Sequence, residues 1–259
     1  LDIAMKAAKR SVLRGLGPSK QAASLPLVDV ALIDDDDLMH TPAMPLGGVF
    51  TFLVIAFFML REIEAAYLKV KHLVVDKVLM TITLTLSVSK VDPTASGCRR
   101  SWGCLCVEGL ALPCPYHSML KILEALAERG EKWLDPDAPL FPNSAGGHCS
   151  KVGMIALFRA IAAVLGLGLA DVTGHAGRVS GARHLAGIGL ELALIQLMAR
   201  WSSSVILEYV RDAPLLSITS TTKAKMMGVA EREASVVQSW KEHELEKQVS
   251  DMGVRLTKL

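Results

Sequence analysis

The chain has 259 residues, of which 51% are hydrophobic, and its formal net charge is +2. This length and apolar content suffice for one large domain with a sizeable buried core. The near-neutral charge excludes a uniformly basic protein, so any surface that binds nucleic acid must be local. The five cysteines are an odd number, which argues against a disulfide framework and favours a reducing compartment.

The first part of the chain combines an acidic run with an apolar one. Residues 33–48, IDDDDLMHTPAMPLGG, are typical of a solvated connection. A metal site at the four aspartates, 34–37, is the alternative, but adjacent carboxylates do not converge on one ion without help. Residues 48–60, GVFTFLVIAFFML, are fewer than the roughly 20 apolar residues of a membrane span. We therefore expect a buried helix from about 48 to 69, with a membrane-associated helical protein as the weaker alternative.

Residues 79–89 alternate between apolar and hydroxyl side chains. The apolar set is Met80, Ile82, Leu84, Leu86 and Val88. A period of two predicts a strand with one buried face. Residues 90–97, KVDPTASG, have the composition of a turn, and GCLCVE, residues 103–108, is the predicted returning strand.

The rest of the chain is predicted to be helical. Helices are expected at about 117–130, at 150–166 with Ser150 as N-cap, and at 190–201 and 202–211. The tail from about residue 213 is charged, with apolar residues at rough helical spacing. The fold class that follows is α+β, mainly helical with a small antiparallel β-sheet.

Several polar residues in this apolar chain suit the chemistry of DNA strand transfer. They are Arg61 with Glu64, Lys90 before the turn, the His-x-x-Arg pair His175 and Arg178, and Trp201 followed by Tyr209. Transesterification of DNA requires a nucleophile, cations for the non-bridging oxygens, and an acid for the departing 5′ oxygen. Arginine donates two parallel bonds to a phosphate, and a tyrosyl phosphodiester preserves the bond energy for rejoining.

The order of these residues resembles the catalytic domain of the tyrosine recombinases, also called phage-type integrases, over roughly residues 45–212. The resemblance implies that Arg61 and Arg178 clamp the phosphate and that Glu64 supports Arg61. It implies that Lys90, on a β-hairpin, is the general acid. His175 would hydrogen-bond the phosphate or tune the proton of the nucleophile.

Two further positions complete the implied site. Trp201 would present an indole N–H where many members have a second histidine, and Tyr209 would form the 3′-phosphotyrosyl bond. The chain departs from the family where Ala199 replaces the usual glycine before Arg-Trp. Arg183, Arg200 and Arg211 are expected in solvent or on the DNA backbone.

The resemblance also implies the partners. The function it predicts is DNA cleavage and rejoining in site-specific recombination or mobile-element integration, without a cofactor or a membrane. Double-stranded DNA and a homo-oligomer assembled on it are the expected partners, inside the cell and in the nucleus of a eukaryotic source. Type IB topoisomerase chemistry is a close variant, and a decayed remnant that binds DNA without cutting it is the non-catalytic alternative. Residues 1–44 would be an N-terminal arm or the remnant of a DNA-clamping domain, and residues 213–259 a helical tail.

One cluster of cysteines stands outside this pattern. Cys104, Cys106, Cys114 and His117 have the donor atoms of a tetrahedral zinc site. The first pair is separated by one residue rather than two, and the second lies across a proline-rich turn. We therefore expect buried free cysteines and no metal, with zinc as the alternative.

Overall fold

The computed structural model of this protein describes residues 22–86, 98–107 and 113–201. The helices in these ranges are α1 (Leu27–Val30), α2 (Gly48–Phe57), α3 (Glu62–Ala66), α4 (Pro115–Ala127), α5 (Lys151–Val164), α6 (Ala176–Gly187) and α7 (Leu192–Ala199). The strands are β1 (Leu73–Asp76), β2 (Thr81–Leu86) and β3 (Cys98–Gly103). Short 3-10 turns lie at Asp35–Asp37, Val70–His72 and Glu131–Leu134. The predicted class, mainly helical with a small antiparallel sheet, is confirmed.

The three strands form one antiparallel sheet in the order β1-β2-β3. Strand β2 pairs with β3 from Thr81 opposite Gly103 to Leu86 opposite Cys98. The predicted alternation of β2 is confirmed within the strand, since its leucines and isoleucine are buried and its threonines are half-buried. The predicted returning strand at 103–108 is wrong, because β3 ends at Gly103. In β3, Arg99 and Ser101 are exposed and the other residues are half-buried. One of the half-buried residues is also an arginine, so the sequence CRRSWG does not show a clear apolar–polar alternation.

Helix α2 is the centre of the core, and nine of its ten residues are buried. The prediction of a buried helix is confirmed, but the predicted single helix to residue 69 is wrong. The main chain turns at Met59, whose φ is 47°. The Leu60 N–H then donates to the Ile55 carbonyl at 2.9 Å, and the Met59 N–H to the Ala56 carbonyl at 3.1 Å. These two bonds close the helix end as a Schellman motif does. Helix α3 then starts at Glu62.

None of the helices in the described ranges is long and apolar enough to cross a membrane.

The acidic run at 34–37 caps helices. The Asp35 carboxylate accepts the Val49 N–H at 2.8 Å in the first turn of α2. The Asp34 carboxylate accepts the Asp36 N–H at the start of a 3-10 turn. Both carboxylates therefore stabilise main-chain donors that a helix leaves unpaired.

Several other helices pack against α2. Helices α4 and α5 both pack against it, and α5 also packs against α3. Ser150 is the N-cap of α5 as predicted, since its hydroxyl accepts the Gly153 N–H at 3.0 Å. Leu25 belongs to the same core, and its N–H donates to the Ser180 hydroxyl of α6 at 2.8 Å.

The chain divides into two units, Leu1–Ala186 with Leu190–Ala213, and Gly187–Gly189 with Pro214–Leu259. The elements named above belong to the first unit, apart from the last residue of α6. The predicted helix at 202–211 and the predicted tail from 213 lie outside the described residues. The predicted boundary at residue 44 also stays a prediction.

Candidate active site

Glu64 is the centre of a cluster of three arginines. Its carboxylate is 7% exposed. Its Oε2 accepts the Arg61 main-chain N–H at 2.8 Å, Arg178 Nη2 at 3.3 Å and Arg200 Nη2 at 2.5 Å. Its Oε1 accepts Arg61 Nη1 at 2.9 Å. We call Arg61, Arg178 and Arg200 with Glu64 the arginine cluster. Three guanidinium groups around one carboxylate leave a formal excess of two positive charges.

Arg61 is placed by the break between α2 and α3. It is the N-cap residue of α3, and Glu64 is the third residue of that helix. The bond from the Arg61 N–H to Glu64 therefore satisfies a main-chain donor at the helix start and also fixes the carboxylate. The Arg61 side chain is 22% exposed. Its Nε and Nη2 groups donate to no residue of the described ranges.

Arg178 is placed by close packing of α6 on α2. A Cβ atom on Gly181 would lie 1.9 Å from the Ala56 carbonyl oxygen, and one on Gly177 would lie 2.7 Å from Ile55 Cγ2. The two glycines lie about one helical turn apart on the same face of α6, and their missing side chains let the two helices approach closely there. Arg178 follows the first of them, is buried, and donates from Nε to the Met59 carbonyl at 2.8 Å. The turn at Met59 is what directs this carbonyl away from its own helix.

Arg200 was expected in solvent or on the DNA backbone; its side chain is largely buried rather than solvated, and the contact with the DNA backbone stays a prediction. Arg200 ends α7 in the left-handed region, with φ of 57°, and its side chain is 9% exposed. Its Nε and Nη1 are buried and have no hydrogen-bond partner among the residues that the structure describes. Buried N–H groups without partners are rare in folded proteins, and a bound anion is one of their ordinary explanations. The signal available in the sequence was a single arginine at the end of the apolar helix LALIQLMA.

Trp201 lies beside the arginine cluster. The Arg178 guanidinium carbon lies over its ring, 5.8 Å from the centroid. The Trp201 main-chain N–H donates to the Gln196 carbonyl at 3.1 Å, which closes the end of α7 in the same way as the end of α2. The cation–π contact therefore links the arginine of α6 to the end of α7.

His175 is exposed and directly precedes α6. Its carbonyl accepts the Val179 N–H at 3.0 Å, so the histidine starts the helix that carries Arg178. Gly174 packs on Glu62, since a Cβ atom there would lie 2.2 Å from Glu62 Cδ. Glu62 is buried, with Oε1 3.4 Å from Lys151 Nζ. Sequence reasoning did not identify Glu62, which supports the turn before His175.

The structure thus brings together four of the predicted site residues: Arg61, Glu64, Arg178 and Trp201. It adds Arg200 to them. Arg183 is half-buried on α6. Lys90, Tyr209 and Arg211 lie outside the described residues, so their places in the site stay predictions. Burial lowers the pKa of His184, also on α6, so its imidazole is neutral at pH 7 and adds no charge to the cluster.

The cysteines after β3 converge on the start of α4. Ligand atoms of Cys104, Cys106, Cys114 and His117 all lie within 4.8 Å of one another. We call these four residues the cysteine–histidine cluster. Cys106 is exposed, so the expectation of buried cysteines does not hold for it. Desolvation, together with hydrogen bonds to the other two thiols, raises the pKa of Cys106 to about 12. Burial opposes ionisation of Cys114, but N–H groups of His117 and Leu105 outweigh it and lower the pKa of Cys114 to about 7.

Comparison with known proteins gives matches at the level of structure. No protein-family model and no curated protein matches the chain. A post-cleavage complex of the XerH site-specific recombinase with palindromic difH DNA aligns with a TM-score of 0.57 and 16% identity, over 79% of this chain and 53% of that one. The Tn1549 transposon integrase with a circular intermediate DNA gives a TM-score of 0.51 and 14% identity, over 80% of this chain and 66% of that one.

The XerA recombinase aligns with a TM-score of 0.50 and 16% identity, over 80% of this chain and 65% of that one. The chain spans about half the length of the XerH chains that it matches. Its mainly helical architecture with a three-stranded antiparallel sheet therefore matches the fold of these recombinase and integrase structures.

Proposed function

We propose that this chain cleaves and rejoins DNA strands through a 3′-phosphotyrosyl intermediate at Tyr209. The observation that carries the proposal is the arginine cluster, with its excess positive charge and the two buried Arg200 N–H groups that no described residue accepts. A phosphodiester in transesterification gains negative charge on its non-bridging oxygens. Preorganised guanidinium donors stabilise that charge without reorganisation at the moment of reaction.

The carboxylate of Glu64 sets the geometry of these donors. It holds one edge of each guanidinium group, so the remaining N–H groups keep fixed directions. Fixing donors before the substrate arrives lowers the entropy cost of binding its phosphate. The same carboxylate reduces the repulsion among three arginines, which would otherwise destabilise their approach. Glu64 acts in this proposal as a positioning residue.

The chemical steps follow from the residue types. The Tyr209 phenol oxygen attacks phosphorus as its proton passes to a base, for which His175 is the candidate, and the bond between phosphorus and the 5′ oxygen breaks. Lys90 supplies a proton to the 5′ oxygen, and Arg61, Arg178 and Arg200 hold the non-bridging oxygens. Rejoining reverses these steps with a 5′ hydroxyl, so the bond energy is conserved.

The direct test is a covalent adduct between the chain and DNA. The full chain is incubated with a pool of randomised duplexes, each nicked so that the cleaved end diffuses away, and adducts are separated on a denaturing gel. Peptide mapping should place the nucleotide on the Tyr209 peptide. Tyr209→Phe should give no adduct, whereas Tyr67→Phe, which removes an exposed tyrosine at the end of α3, should leave its yield unchanged.

A second arm distinguishes the non-catalytic alternative. Binding of the same duplexes should weaken with salt at a slope of roughly −0.9 per phosphate contact on logarithmic axes. Arg200→Ala should reduce the slope by about one contact. Salt-dependent binding without any adduct from the wild-type chain would favour a recombinase fold that binds DNA without cutting it. An adduct that maps to Tyr67 would contradict the assignment of the nucleophile.

A further inference from the structure

The ligand atoms of the cysteine–histidine cluster are spaced like the corners of one tetrahedron. His117 Nδ1 lies 3.6 Å from Cys104 Sγ, 3.1 Å from Cys106 Sγ and 3.4 Å from Cys114 Sγ. The sulfurs of Cys104 and Cys114 are 3.9 Å apart. Zinc bonds of about 2.3 Å to sulfur and about 2.0 Å to nitrogen put tetrahedral edges at ~3.8 Å for two sulfurs and ~3.5 Å for sulfur and nitrogen. The observed distances therefore fit a single ion at the centre.

Hydrogen bonds do not explain this convergence. One imidazole nitrogen has either one lone pair or one hydrogen, so it pairs well with one thiol at a time. Three sulfurs nonetheless approach the same Nδ1 of His117. A shared cation satisfies all three sulfurs and the nitrogen together, because each contributes its own lone pair to the ion.

Main-chain N–H groups surround two of the sulfurs. The Leu105 N–H donates to Cys114 Sγ at 3.3 Å, and the Cys106 N–H donates to Cys104 Sγ at 3.4 Å. Cys114 is also the N-cap residue of α4, where the helix dipole favours a negative charge. Donors of this kind stabilise thiolates and orient them around a metal, as outer-shell contacts do in known sites.

We propose that the cysteine–histidine cluster binds one Zn²⁺ ion in a structural site. Three thiolates and one imidazole are soft and borderline ligands, which select zinc over calcium or magnesium. All four corners are protein atoms, so no position is left for a substrate, as in structural rather than catalytic zinc sites. The separation of at most 4.8 Å suits one ion and is too short for a cluster of several metals.

The site would join two parts of the fold. Cys104 and Cys106 follow the end of β3 that pairs with Thr81, whereas Cys114 and His117 start α4. Helix α4 packs against α2, which leads to Arg61. The zinc ion would thus anchor the sheet at the end remote from the 87–97 connection, where Lys90 lies in the sequence.

The test begins with the metal itself. The full chain, expressed with zinc in the medium and dialysed against metal-free buffer, should retain about one zinc ion per chain by elemental analysis. Replacement of zinc by cobalt should give the intense visible bands of tetrahedral Co²⁺ and thiolate charge-transfer bands in the near ultraviolet. Cys106→Ser should reduce the charge-transfer intensity per cobalt by about a third, because one of three thiolates is lost. His117→Ala should leave that intensity unchanged and shift the visible bands.

Both variants should bind zinc at least about 100-fold more weakly than the wild-type chain in competition with a chromophoric chelator. Cys98→Ser is the matched control, because it removes a half-buried cysteine of β3 outside the cluster and should retain the metal. Cobalt exchange in the wild-type chain counts the thiolates even if a variant does not fold. A wild-type chain without zinc, a chain that retains copper or iron instead, or equal affinity in all variants would overturn the proposal.

Discussion

Replacing the carboxylate of Glu64 should destabilise the protein more than any exposed charge substitution. Glu64 accepts four N–H groups from three arginines, and two of these arginines, Arg178 and Arg200, are too buried to be rehydrated by water. Removing one partner of a buried charge typically costs about 3–5 kcal/mol. Glu64→Gln keeps one acceptor but presents an amide N–H₂ to guanidinium groups. We therefore expect a loss of about 3 kcal/mol in the free energy of unfolding, which is a large part of the ~5–15 kcal/mol of an ordinary domain.

The assay is denaturant unfolding of the wild type and of two variants in low-salt buffer. Glu124→Gln is the matched control, since Glu124 forms an exposed ion pair with Lys121 on α4 and should contribute less than about 1 kcal/mol. Added phosphate should restore stability to Glu64→Gln more than to the wild type, because the ion binds only the folded cluster. If Glu64→Gln costs no more than Glu124→Gln, the carboxylate does not organise the arginines. If added phosphate raises the free energy of unfolding of the wild type and of Glu64→Gln equally, the excess positive charge is not at the arginine cluster.

Three other perturbations test separate features. Arg200→Gly and Arg200→Ala should weaken binding to duplex DNA equally, but the glycine variant should be about 1 kcal/mol more stable in denaturant unfolding, because φ is positive there. Gly181→Ala should lose about 1–3 kcal/mol or more by the same measurement, because its methyl group would overlap a carbonyl of α2, whereas Gly168→Ala meets open space and should be neutral. The pKa of His184 is lowered by burial, so the unfolded chain takes up its proton first as the pH falls below about 6.5, and stability should fall with it. His184→Gln should reduce this loss between about pH 7 and about pH 5.5, and an unchanged pH dependence would refute the assignment.

The hydrophobic pattern predicted the fold class and most helices, because burial imposes a period that is visible in the sequence. It predicted β2 from its alternation and α5 from its cap at Ser150. It missed the end of α2, because the apolar run continues through the turn at Met59. Composition does not mark a left-handed turn formed by methionine, and hydrogen bonds to carbonyls of the preceding helix decide it. Strand β1 was missed because its four residues are too few to establish a period.

The site was only partly predictable for a related reason. Arg61, Glu64 and Arg178 were identified from spacing and from a resemblance, and they do meet. Arg200 was expected in solvent or on the DNA backbone, because the sequence does not show whether an arginine at a helix end points outward or into the core. The left-handed conformation at Arg200 is set by the bonds that close α7 and not by its own preference. The convergence of the cysteine–histidine cluster was not predicted because its spacing is irregular, and distance in space, not in sequence, decides whether four atoms can share an ion.

Gly177 and Gly181 fix the axial position of α6 relative to α2. They face Ile55 and Ala56, which are consecutive residues of α2, so a slide of α6 by one residue would drive a larger side chain into the main chain of α2. Only one alignment of the two helices is then sterically open. Arg178 is held at a fixed height relative to the end of α2, and so to Arg61, without any bond between the two arginines. The spacing of these two guanidinium groups is thus encoded by residues that have no side chain.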